Sequence, residues 1–321
     1  MVPYLMRRLA WVVVVVLAVT LITFGIFFVL PSSDPAVAFA GKQPTPQLVA
    51  QVRDQLGLDH PVPEQYLLYV KRLFLGDQYG WPGFGQSYNT KSPVIDEITA
   101  RAPVSLALIV GAAILWLIIG IPLGVLAALR RRSWIDRTAM GFALFGVCAP
   151  VFWLGLMSLF IFSEKLAWLP GTGYVPFSTS PGEWFTHMLL PWFVLALLFA
   201  GVYARVVRGS MIDTLEEDYV RTARAKGLPE RAVVAKHALR PSLVPVVTLL
   251  GTDLAVLIGG TIVMETVFNL PGLGNYALTS TLDGDLPAVL AVVVLGALAV
   301  ALFSLVIDIA YAYIDPRVRF R

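Results

Sequence analysis

Residues 213–245 read DTLEEDYVRTARAKGLPERAVVAKHALRPSLVP, a polar, basic stretch set between two long apolar runs. Glu216, Glu217 and Asp218 put negative charge where a helix N-terminus carries partial positive charge. Gly227 supplies a left-handed position to stop that helix, Pro229 suits the first turn of a second, and Pro241 ends it. The punctuation predicts a rigid elbow of two short helices from about Asp218 to Arg240. Val220, Ala223, Ala232, Val233 and Leu239 are expected to fill a groove on a partner, with Arg221, Arg224, Lys226 and Arg231 around them. A flexible basic tether needs no capped helices, so the stretch reads as a docking element.

On either side of this elbow the chain is unusually apolar. Of 321 residues 57% are hydrophobic and 14% charged, against about 25% charged in soluble domains, which points to a lipid-facing surface. Uncharged runs lie at about Leu9–Leu30, Pro103–Leu129, Ala139–Ser163, Met188–Ala204 and Pro287–Ile307. A further run, Pro241–Met264, holds a single acid, Asp253. Each suits a tilted membrane helix of roughly 20 residues, giving an all-α membrane protein with six spans. The first run is longer than a signal-peptide core, and the small-residue pattern at Ala38 and Ala40 lies well past its end, so it reads as a retained span. With the N-terminus inside, 17 of the 24 Lys and Arg residues fall on the cytoplasmic side, as the positive-inside rule demands. Both termini and the elbow are thereby assigned to the cytoplasm. The expected organisation is 1–30 first span, 31–102 external loop, 103–204 spans two to four, 205–242 cytoplasmic loop, and 243–321 the last two spans.

The external loop has its own helix signals. Thr45 is a candidate N-cap before Pro46, and Gly57 stands at the stop. A second segment, Pro63–Leu75, sets Tyr66, Leu67, Val70, Leu73 and Phe74 on one side before Gly76. These helices either cover the outer ends of the spans or form a docking surface, and the two readings are compatible. Asn269–Gly274 reads as turns.

Several function classes are excluded. The basic residues flank apolar runs rather than forming a soluble patch, so nucleic-acid binding is not expected. Cys148 is the single cysteine; it forms no intrachain disulfide and is expected to be a small core residue. His60, His187 and His237 are scattered, and neither G-x-S-x-G nor H-E-x-x-H occurs, which leaves no membrane-enzyme constellation. A secondary transporter would show matched repeats of spans, and none is visible.

The spacing A-x-x-x-G in Ala223–Gly227, followed by His237-Ala238-Leu239-Arg240, resembles the EAA loop of permease subunits of bacterial ABC importers. YVRTARAKGL from Tyr219, HALRPSLVPVVT from His237, LGLDHPVPEQY from Leu56, ETVFNLPGLG from Glu265 and DIAYAYIDPRVR from Asp308 are similar to the dipeptide, oligopeptide and nickel permease group, in its B-type form. Arg221-Thr222 replace the Glu-Ala of the general pattern, and Pro241 stands where Asn is expected. The resemblance implies a type I importer permease fold of six helices in a bacterial inner membrane. It implies a second permease chain, two cytoplasmic ATPase subunits and an external binding protein. It also implies that Asp218, Tyr219, Arg221, Thr222, Ala223, Arg224, Ala225, Lys226, Gly227, Leu228, His237, Leu239 and Arg240 form the ATPase-coupling surface. Its substrates include di- and oligopeptides, nickel chelates and haem-like ligands, and the lack of a Cys, Met or His cluster favours peptide.

No G-x-x-x-x-G-K-[ST] phosphate loop occurs, Asn89-Thr90-Lys91-Ser92 being the nearest imitation. The chain is therefore not expected to be its own motor or an enzyme; ATP and Mg²⁺ belong to the partner subunits. In the fifth span Gly251, Ala255 and Gly259 form a small-residue stripe for close helix approach, and Gly120-x-x-x-Gly124 repeats the pattern in the second. Asp253 lies about 200° around from Gly251. An intramembrane acid costs roughly 2.5–3.5 kcal/mol on insertion scales, so it faces a cavity or a partner. Asp253, with Gly260 and Met264 on the same helix, is the candidate lining of a path; the competing reading is a helix-to-helix hydrogen bond.

Overall fold

A computed structural model describes residues 2–30, 34–39 and 45–314. Ala40 and the basic C-terminal residues Arg317, Arg319 and Arg321 lie outside the described residues. Among those described, the regular elements are helices, with isolated bridges Asp77–Gly80 and Gln86–Pro93. Four stretches are long and apolar enough to cross a membrane: Met6–Val29, Val94–Leu129, Pro181–Leu215 and Leu286–Ile307. Two bent pairs, Trp134–Gly146 with Val151–Lys165 and Glu230–Ser242 with Val244–Leu257, bring the number to six if each is one span. The chain divides into two compact units, residues 1–105 with 271–302, and residues 106–270 with 303–321.

In the first unit the helices of the long first loop form where their caps place them. Pro46–Leu56 opens on Thr45, whose Oγ1 accepts the Leu48 N–H at 3.3 Å, and closes on Gly57 at φ +67°, a backbone region that strains residues with a Cβ. Val62–Leu75 follows and ends at Gly76. Both lie over the end of the first span, where Phe24, Phe28, Val52 and Leu290 form a core with Leu48, Tyr66 and Tyr69 around it. The Tyr66 hydroxyl donates to the Leu17 carbonyl at 3.2 Å. This is the covering role read from the sequence, with one correction. Leu73 is buried, but Leu67 and Phe74 are exposed, because each stands one residue, or about 100°, beyond an inward-facing neighbour.

The turn that follows is pinned to the start of the last helix. Buried Asp285 accepts the Ser87 hydroxyl and the Tyr88 N–H, while its own carbonyl accepts the Val289 N–H of the helix Leu286–Ile314. The segment read as turns is in part helical: Leu273–Asp283 is a helix ended by left-handed Gly284. The Leu273 N–H donates to Ser105 Oγ at 2.8 Å.

In the second unit close packing depends on glycine. A Cβ at Gly120 would stand 2.8 Å from the Ala200 carbonyl oxygen, and one at Gly124 2.6 Å from that of Ala204. The helix Pro181–Leu215 is gripped from another side at Gly201, where a Cβ would meet Ala143 Cα at 2.4 Å. Gly251 likewise admits Ile307, 2.8 Å from its ideal Cβ, as the small-residue stripe predicts.

Two expectations fail here. The run Ala139–Ser163 is not one straight helix: Trp134–Cys148 and Val151–Ser158 are separate, and the pair is bent by 104°. Pro150 has no N–H to continue the first helix and drives the residue before it into extended backbone; Ala149 has ψ 130°. Cys148, the last residue before that break, is exposed rather than in the core.

Candidate functional site

The elbow forms from the residues that punctuate it. Asp218–Ala225 is a helix starting at Glu217, and Gly227 takes φ +80° at the corner. Pro229 caps the next helical stretch, which passes through a π-helical segment, Val233–Ala238, into Leu239–Ser242. Pro241 therefore does not end it. The wider π turn just ahead of the proline accommodates a residue that cannot make the usual i→i−4 bond.

The apolar side chains of the elbow point inward. Val220, Ala223 and Val233 form a buried cluster with Leu215 packed against it, and Ala238 is also enclosed. This corrects the expectation that Val220, Ala223 and Val233 fill a partner's groove: a helix of eight residues has no stability alone, and its apolar face closes the elbow itself. The buried Ser242 hydroxyl donates to Thr214 Oγ1 at 3.1 Å, tying the end of the elbow to the helix that leads into it.

What remains outward is polar and basic, with two apolar tips. Asp218, Tyr219, Arg221, Thr222, Arg224, Ala225, Lys226, Gly227, Leu228 and Arg240 are exposed; His237 and Leu239 are half-buried, and Ala223 is buried. Arg224 grips Glu230 across the corner at 2.7 Å, holding the Glu230 carboxyl below its ordinary pKa, and Arg221 lies 3.4 Å from Asp218. Lys226, Arg231, Lys236 and Arg240 make no ion pair among the described residues. The eight basic residues of the loop are thus not equivalent.

Arg208 in particular is structural. The helix Pro181–Leu215 runs without a break past Arg205, where the loop was expected to start. Within it, Arg208 makes a two-pronged contact with buried Asp136, at 2.5 and 2.8 Å. Asp136 Oδ2 also accepts the Arg132 N–H at 2.9 Å, and Arg131 reaches Glu216 at 3.4 Å. The connection between the second and third spans is thereby fastened to the base of the elbow. Nothing in the sequence marks this pair, since 72 residues separate its members.

In the helix Val244–Phe268, half-buried Asp253 accepts a 2.8 Å hydrogen bond at Oδ2 from the hydroxyl of Tyr203, itself fully buried. Trp116 packs its ring against Phe199 and Tyr203, at 4.7 and 5.8 Å between centroids. Its buried Nε1–H meets no acceptor at hydrogen-bond geometry among the described residues. Met264 is fully buried, which makes it part of the packing in this conformation. Gly260 lies in the same helix, and its surroundings fall outside the described residues. Nothing in the sequence marked Tyr203 beyond being a hydroxyl in an apolar run, 50 residues from the acid it meets.

The comparisons with known proteins agree with this architecture. Residues 120–320 match the family model described as the inner membrane component of binding-protein-dependent transport systems, and residues 1–109 match its N-terminal companion. The chain is 40% identical over 321 residues to a candidate peptide transport system permease protein of Brucella abortus, covering all of both chains. It is 39% identical over 321 residues to the glutathione transport system permease protein of Salmonella choleraesuis, again over all of both. It is 35% identical over 340 residues to the dipeptide transport system permease protein of Alkalihalophilus pseudofirmus, with the same full coverage. Among solved structures, a chain of the MetNI methionine ABC transporter, in inward-facing conformations, superposes with a TM-score of 0.58 at 18% identity. That match covers 70% of this chain and 98% of the other, and carries the fold alone. With its fold of membrane-length helices and two family models spanning nearly its whole length, the chain belongs to the inner membrane component family of binding-protein-dependent transport systems, as a multi-pass permease subunit of the ABC importer type.

Proposed function

We propose that this chain forms one half of the translocation path of an ATP-driven importer of peptides. A second permease chain supplies the other half, two cytoplasmic ATPase subunits supply the energy, and an external binding protein delivers the substrate. The chain resides in a bacterial inner membrane with both termini in the cytoplasm, and it binds no ATP or Mg²⁺ itself. The observation that carries the reading is the elbow: its apolar residues close on one another, so it is stiff, and Lys226, Leu228, Arg231 and Arg240 stand outward without intramolecular partners among the ion pairs described. A stiff projection transmits displacement, and closure of an ATPase beneath it rocks the attached helices as rigid bodies. Asp253, on a half-buried face of the fifth span, lines the path. Peptide is the substrate class that the relatives' names share, peptide, dipeptide and glutathione.

The test is reconstitution. Co-expression with the ATPases, second permease and binding protein encoded beside it should give a complex whose ATP hydrolysis rises on adding peptide and binding protein. Uptake by this chain alone in liposomes, driven by an ion gradient and indifferent to ATPase subunits, contradicts the reading.

A further inference from the structure

A span that carries an acid needs a partner for it, and the second unit offers Asp253 only a neutral one. Oδ2 is engaged by the Tyr203 hydroxyl, and Asp253 makes no ion pair among the described residues. An ionised carboxylate so placed without a counter-charge is strongly unfavourable, so in that form it calls for a cation from outside the chain. Three features define what it is. The carboxylate keeps one oxygen free of hydrogen bonds among the described residues. One turn further along the same helix Val256 is 68% exposed, which sets Asp253 at the rim of a surface this chain leaves open. Behind the pair, the ring of fully buried Trp116 packs against that of Tyr203, 5.8 Å between centroids. The Tyr203 hydroxyl, held by this packing, donates to Oδ2 and so fixes the carboxylate with its second oxygen available.

We propose that Asp253 is the contact for a primary ammonium group of the substrate, the free amino end of a peptide, with Tyr203 as its positioning residue. The inference rests on the reading that Asp253 lines the path. An ammonium offers three donors and no acceptor, which complements a free carboxylate oxygen; an acylated amine carries no charge, and a carboxylate end is repelled.

The assembled permease–ATPase complex in nanodiscs, without binding protein so that its selectivity does not enter, is titrated with alanyl-phenylalanine and with the N-acetyl derivative. The native complex binds the free amine roughly tenfold tighter, the worth of one charged hydrogen bond. Asp253→Asn removes the gap by weakening only the free amine; Asp253→Glu retains it, and Tyr203→Phe narrows it. A native complex that treats the two probes alike, including one that binds neither, overturns the proposal, as does Asp253→Asn with the gap intact. If Asp253→Asn does not insert, an unchanged gap in Tyr203→Phe overturns it instead. Labelling of Asp253→Cys, on a Cys148→Ala background, by a water-soluble thiol reagent separates the two levels. Labelling with an unaltered gap in Asp253→Asn sinks the amine contact and spares the path; absence of labelling sinks the path itself.

Discussion

The hydroxyl of Tyr203 and the carboxylate of Asp253 meet at 2.8 Å across two membrane-length helices. Interhelical hydrogen bonds in membranes are worth on average about 0.6 kcal/mol and at most about 1.7. Tyr203→Phe should therefore lower the melting temperature of the detergent-purified chain only modestly. Asp253→Asn, which keeps an acceptor for the phenol and removes an unpaired charge, should leave stability equal or raise it. A large loss in Asp253→Asn would show the charge to be a structural tie.

Glycine contacts give a sharper contrast. At Gly124 a Cβ would stand 2.6 Å from a backbone carbonyl, whereas at Gly141, in the third span, nothing lies within 4 Å. Gly124→Ala should destabilise by about 1–3 kcal/mol through overpacking, and Gly141→Ala should be neutral or stabilise by up to about 1 kcal/mol through helix propensity. Unfolding in graded detergent mixtures measures both.

The two arginine pairs near the elbow differ in kind. Removing Arg208 strands the buried Asp136 carboxylate, a loss of about 3–5 kcal/mol for a fully buried pair, discounted here because Arg208 is 26% exposed. Removing Arg221, whose pair with Asp218 is exposed, should change stability by less than about 1 kcal/mol. Thermal unfolding of Arg208→Ala and Arg221→Ala tests the order.

The Glu230 carboxyl is held below its ordinary pKa by the hydrogen bond from Arg224. Its contribution is present above the unfolded carboxylate pKa, near 4.5, and is lost as pH falls through the lower folded value. Protection against hydrogen exchange at the corner, relative to the intrinsic rate at each pH, should therefore be indifferent to this pair between neutral pH and about pH 5 and fall only in stronger acid. Glu230→Gln should abolish that acid step.

Much of the architecture was legible because it is written locally. Thr45, Gly57 and Gly227 act through their own backbone or the next turn, and each sits where its cap predicts. The apolar runs were equally plain, since lipid imposes a minimum length on them. The break at Ala149–Pro150 was not, because hydropathy averages over a proline whose effect is geometric. The elbow was legible as two helices joined at Gly227, but its amphipathic pattern could not say whether Ala223 and Val233 close on their own chain or on another. Tyr203–Asp253 and Arg208–Asp136 were out of reach, being contacts between distant positions that only the packing of spans brings together.

On the proposed function, the outward basic face of the elbow receives the drive of an ATPase. The most direct measurement is peptide uptake per ATP hydrolysed in proteoliposomes holding the complete importer, with Lys226→Glu and Arg231→Glu combined in this chain. Both side chains are exposed, so the variant should insert and fold as the native chain does. Like-charge or mismatched contacts at an interface cost several kcal/mol; uptake should fall by roughly tenfold or more, with ATPase subunits bound weakly or hydrolysing without transport. Native uptake and a native transport-to-hydrolysis ratio in that variant would contradict the account.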